Sequence, residues 1–144
     1  MNAEQIDQVQ SSFEQLRPRA ADAAALFYQH LFFLDPALRP MFKGDMPQQG
    51  RLLMTMLASA VNGLTHLESL VPAVRQLGAR HAGYGVRKEH YATVGSALFW
   101  MLEESLGDDF TPEMRWAWAT AFKLLSETMQ SGVPERWQEL AEAA

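Results

Sequence analysis

The chain has no cysteine among its 144 residues. That removes disulfides, thiolate nucleophiles, iron–sulfur clusters and cysteine-based zinc sites together, and leaves oxygen and imidazole as the available ligands. Positive charge is also short: twelve Lys and Arg stand against seventeen Asp and Glu, a formal charge of −5. No global field draws a phosphate backbone and no aromatic–basic repeat is present, so nucleic acid is not an expected partner. Long apolar runs are missing as well. None approaches the ~20 residues needed to cross a bilayer. The opening "MNAEQIDQVQSSFEQL" is polar and acidic from the start, so a cytoplasmic protein with no membrane span is expected.

What remains is 48% apolar and 20% charged residues, the composition of an ordinary soluble domain. One domain over residues 1–144 is long enough to build a core around a ligand. No convincing strand, repeat or linker interrupts it. Asn2 and Gln5 have capping-box spacing, and Ile6, Val9, Phe13 and Leu16 then recur helically up to about Arg17. A second helix runs from about Ala20 through Phe32. The prolines of "DPALRPMF" then impose a short turn-like element that ends at Phe42. A third helix is expected from Pro47 to Leu64, and a fourth opens near Leu70 to Pro72 and stops at Gly83 and Gly85. A fifth spans Lys88 to Leu106. A last one carries Trp118, Phe122, Leu125 and Met129, and "SGVP" separates it from a short helical tail over residues 134–144. Seven or eight helical pieces make the fold all-α.

Three polar side chains stand where helical spacing puts a core. His81 follows Val74 by seven residues and Leu77 by four, so all three share one side. Of the adjacent pair Gln48 and Gln49, Gln49 heads the apolar face: relative to it Leu53, Met56 and Ala60 lie at about +40°, −20° and +20°. Tyr28 sits among Ala24, Ala25, Leu31 and Phe32, and its hydroxyl needs a partner if buried. Each alone is more often core than function. A lone inward histidine usually just bonds a backbone carbonyl. Three polar tips from three helices suggest instead a large apolar cofactor that needs one nitrogen ligand, and haem fits that description. His30, His66 and His90 show no zinc spacing with His81, and neither a Ser-His-Asp arrangement nor a strand-borne phosphate loop has support.

The segments "DPALRPMF", "LGARHAGYGV" and "EHYATVG", in that order and spacing, resemble bacterial single-domain globins and the haem domain of flavohaemoglobins. The likeness covers about Glu4 to Gln130. It implies a globin fold around haem b. His81 would be the proximal iron ligand, its other nitrogen donating to a carbonyl such as that of Leu77. Phe42 would be the haem-packing phenylalanine, Tyr28 and Gln49 the distal pair that holds a bound gas, and Leu53 the apolar wall beside them. Val86, Tyr91 and Val94 fall on haem-contact positions.

Two departures from that pattern matter. No histidine occupies the distal position. The glutamate that flavohaemoglobins place beside the proximal histidine is replaced by Val133, and Glu127 and Glu135 lie on other faces. Strong electron push on the iron is therefore not expected. No flavin or nicotinamide segment is read after the helices, so any redox cycle is expected to need an outside donor. Arg75, Arg80, Arg87 and Lys88 cluster around His81 as a solvated face, as contacts to haem propionates or as a dock for an acidic reductase. The resemblance implies reversible binding of oxygen, nitric oxide or carbon monoxide. The alternatives are a nitric oxide dioxygenase served by an external reductase, and a gas sensor or haem-free helical module.

Overall fold

The computed structural model describes residues 1–132, and among them the chain is helical with no strand. Six α-helices follow one another: α1 Ala3–Leu16, α2 Ala20–Leu34, α3 Met46–Gly63, α4 Leu67–Gly83, α5 Lys88–Leu106 and α6 Pro112–Ser131. A 3-10 segment, Pro36–Met41, supplies the turn between α2 and α3. The expected tail, with Val133 and Glu135, lies outside the described residues.

Local chemistry sets most boundaries. The Asn2 side chain accepts from the Gln5 amide at 2.8 Å while the Gln5 side chain accepts from the Asn2 amide at 3.0 Å, a complete capping box. Thr111 caps α6 through Met114, with Pro112 in the first turn, where its missing N–H costs nothing. One boundary differs from the sequence expectation. Helix α4 opens at Leu67 rather than near Leu70 to Pro72, so Pro72 lies inside it. The proline removes one backbone donor one turn in, and packing of the later turns carries the helix across the gap.

Helices α1 and α6 are fastened by a buried polar contact. Trp118 Nε1 donates to Ser12 Oγ at 2.7 Å, and that hydroxyl donates to the Gln8 carbonyl at 2.8 Å. The core around it includes Val9, Phe13, Leu16, Leu98, Met101 and Leu102. Each large side chain buried here contributes ~1.5–3 kcal/mol.

Two glycines let helices approach at backbone distance. A Cβ on Gly50 of α3 would lie 3.0 Å from the Ala24 Cβ of α2. A Cβ on Gly78 of α4 would lie 1.8 Å from the Met129 carbonyl oxygen of α6, an impossible contact. Gly78 therefore sets the depth at which α4, and His81 one turn later, sits on α6. Gly78→Ala is expected to cost about 1–3 kcal/mol in urea unfolding, through overpacking against main chain that cannot step aside. A variant as stable as the parent would mean that α4 is not held at this depth.

Candidate functional site

Among the described residues the helices pack unevenly. Helix α2 packs on α5 and α3, and α4 packs on α6, but the consecutive helices α4 and α5 scarcely touch. On α3 the fully buried positions are Gly50, Met54 and Val61. The face headed by Gln49 is displaced from them: Gln49, Leu53 and Ala60 are half-buried and Met56 is 42% exposed. Helical spacing alone left open whether protein or a cofactor covers this apolar stripe. The core takes the neighbouring stripe, and the Gln49 stripe is left apolar and partly open.

The other expected site residues share that intermediate state. Phe42, His81, Val86, Tyr91 and Val94 are each half-buried, neither sealed in the core nor free in solvent. They come from the turn after α2, the last turn of α4, the loop that follows it and the first two turns of α5. Phe42, Leu53 and Val94 pack against the core cluster with part of each side chain left open.

His81 is fixed by its own helix. Its Nδ1 lies 2.8 Å from the Leu77 carbonyl, one turn earlier, so Nδ1 carries the proton and donates. Nε2 then holds the free lone pair and has no partner among the described residues. That is the tautomer a metal ligand requires. The helix ends just beyond, where the Tyr84 amide donates to the Arg80 and His81 carbonyls and the Val86 amide to that of His81, both the latter at 3.0–3.1 Å. Gly85, at φ +95°, supplies the left-handed residue that reverses the chain.

Tyr28 and Gln49 are brought together, though not side chain to side chain. The Tyr28 hydroxyl donates to the Gln49 main-chain carbonyl and the Gln49 amide to the Lys43 carbonyl, both at a long 3.4 Å. Phe27, Phe32 and Phe42 ring Tyr28 at centroid distances of 5.1, 5.8 and 5.2 Å. Burial pushes this phenol up from 10.0 to about 12, so its proton stays in place across ordinary pH. Because the folded-state value is the higher one, the associated stability is complete below about pH 10 and disappears as pH climbs towards 12, a contribution of about 2–3 kcal/mol. The urea midpoint of the parent should fall more steeply over that window than that of Tyr28→Phe. Parallel curves would show that the hydroxyl is solvated.

Tyr91 carries the clearest sign of a missing neighbour. Its hydroxyl is buried and has no hydrogen-bond partner among the described residues, and burial raises its pKa. Such a group costs ~1–3 kcal/mol unless something outside the protein satisfies it. Met54, by contrast, is packed into the core on the other stripe of α3. The chemistry present fits haem: one imidazole with a free Nε2, apolar walls, and an orphaned donor. No group of three or more His, Asp or Glu side chains suited to a bare metal ion occurs among the described residues.

The sequence reading missed Gly78, whose only signal was a glycine inside an otherwise strong helical pattern, and it missed the orphaned state of the Tyr91 hydroxyl.

Comparisons with known proteins give the family. Residues 25–129 match the family model described as Globin. Neuroglobin of Danio rerio is 30% identical over 138 residues, covering 86% of this chain and 87% of the relative. The flavohemoprotein of Bacillus cereus is 28% identical over 144 residues, and this chain spans 35% of its length. An engineered carbene transferase from Rhodothermus marinus, a candidate nitric oxide dioxygenase, superposes with a TM-score of 0.83 at 24% identity, over 98% of this chain and 99% of the other. With a family match across most of its length, and with haem b the group typical of that family, this chain belongs to the globins.

Proposed function

We propose that this protein binds haem b through His81 and reversibly holds oxygen, with nitric oxide and carbon monoxide as further ligands. The single observation that carries the reading is the 2.8 Å contact of His81 Nδ1 with the Leu77 carbonyl, which leaves the lone pair of Nε2 free on a half-buried ring. Haem, when bound through His81, would supply an iron able to accept a diatomic gas.

The chain's own residues then do three things. Leu77 holds the His81 ring in one tautomer and one orientation, which keeps the ligand nitrogen presented. Leu53, Phe42, Val86 and Val94 exclude water, which strengthens any polar contact made inside. Tyr28 stays a neutral donor, and its 3.4 Å bond to Gln49 is weak enough to be exchanged for a better acceptor. The Gln49 amide, on an equally long bond, can do the same.

Nitric oxide dioxygenation is the second reading, favoured by the same donor pair. A gas held in position meets nitric oxide without needing a protein acid or base. The overall change joins oxygen and nitric oxide with one electron to give nitrate, so each turnover consumes an electron that must be returned. The described residues contain no strand, and so no flavin- or nicotinamide-binding sheet.

A stopped-flow experiment tests both readings. The oxygenated ferrous protein should release oxygen reversibly under vacuum. Mixed with nitric oxide it should give stoichiometric nitrate and ferric haem, and NADH alone should not restore the ferrous state. An oxygenated form inert to nitric oxide would leave reversible binding as the function. Failure to cycle oxygen at all would remove the first reading.

A further inference from the structure

Charge is unevenly spread along the chain. Residues 36–87, from the 3-10 segment through α3, α4 and the loop beyond, carry six Arg and Lys against two acids, Asp45 and Glu68, a net +4. The remainder carries six against fifteen, a net −9. The fold then gathers part of the positive segment at one place. A Cβ on Gly85 would meet Met41 Cε at 3.7 Å, so the corner after α2 and the loop between α4 and α5 are neighbours. Arg39 and Lys43 flank the first; Arg80, Arg87 and Lys88 flank the second. All five are exposed, and none forms an ion pair among the described residues.

Two of these charges stand against local helix physics. Arg87 is the N-cap of α5 and Lys88 its first residue. A cation at that positive end costs a helix stability, where an acid would add to it. Between them and His81 lies Tyr84, 78% exposed on the turn that ends α4. A basic rim without ion pairs among the described residues, with Glu89 of the first turn of α5 an acid close in sequence and Tyr84 an open aromatic ring on it, flanks His81.

We propose that this rim is the docking surface for an acidic electron-transfer protein that reduces the haem; the proposal rests on the haem reading above. In the step concerned, the donor's reduced flavin gives up one electron and becomes its semiquinone, and the ferric iron gains it and becomes ferrous. The rim carries no electron. It orients the donor: an acidic partner is repelled by the net −10 carried outside the rim and attracted chiefly here, so the encounter is steered to the haem side.

Reduction of the ferric protein by two donors in a stopped-flow instrument tests this, with reduced flavodoxin as the acidic protein and the 5-deazariboflavin radical as a small neutral reductant. The flavodoxin rate should fall about tenfold between roughly 20 and 200 mM salt, and by a similar factor in Arg87→Glu/Lys88→Glu. The neutral radical should be indifferent to both changes. Lys123→Glu, an exposed charge reversal on α6, should leave both rates as they are. A flavodoxin rate indifferent to salt and to the double substitution would overturn the proposal. So would an equal fall with the neutral radical, which would assign Arg87 and Lys88 to the haem propionates instead. A purified protein with no Soret band would overturn the haem reading itself, and the dock with it; a normal Soret band beside the first two outcomes sinks the dock alone.

Discussion

His81→Gly is expected to abolish iron ligation by the protein and to lower haem retention by orders of magnitude. The imidazole is the one nitrogen ligand on the half-buried face, and no neighbouring histidine is positioned to replace it: His30 stacks on Trp100 at 4.5 Å between centroids, and His90 Nδ1 accepts the Arg87 amide at 2.9 Å. A fold defect is not the cause expected. His81 lies two residues before the end of α4 and makes only a local contact with Leu77, so a glycine there should cost about 1 kcal/mol. Free imidazole added to the variant should enter the vacated space and restore the parent absorption spectrum. An unchanged Soret spectrum without imidazole would mean that another group binds the iron.

Tyr28→Phe should raise the oxygen dissociation rate by roughly ten- to a hundredfold, while carbon monoxide changes much less. A hydrogen bond to a partly negative acceptor in a dry pocket contributes ~1.5–3 kcal/mol, and the less polar gas gains little from it. Tyr28 can supply that bond because burial keeps its phenol protonated up to about pH 12, and because its present acceptor is held only at 3.4 Å. Gln49→Leu should act in the same direction. Flash photolysis of the carbon monoxide form and oxygen-replacement kinetics measure the two gases separately. Equal effects on both would point to steric gating by the ring rather than to its hydroxyl.

The helices and the His81 contact were legible in the chain because both are local. Capping boxes, prolines and periodic leucines act within a turn or two, and a histidine four residues after Leu77 can reach only that carbonyl or its own side of the helix. The α3 face was legible in a different sense. Periodicity picked out Gln49, Leu53, Met56 and Ala60 as an apolar stripe, but could not say whether protein or cofactor covers it; the core takes Gly50, Met54 and Val61. The start of α4 was misread because Pro72 suits a first turn, and only tertiary packing holds a helix across it. Gly78 was opaque for the same reason: its meaning lies in Met129, fifty-one residues away in sequence and at backbone distance in space. The Tyr91 hydroxyl could be judged unpartnered among the described residues only once their side chains were placed.

The most direct test of the central claim, that the half-buried face around His81 is a haem site, is a titration of the haem-free protein with hemin followed in the Soret region. The account predicts a sharp endpoint at one haem per chain. After reduction it also predicts an iron–histidine stretching band in the Raman spectrum, which His81→Gly removes. A gradual, unsaturating rise with the spectrum of free hemin, or a histidine band that survives the substitution, would contradict it.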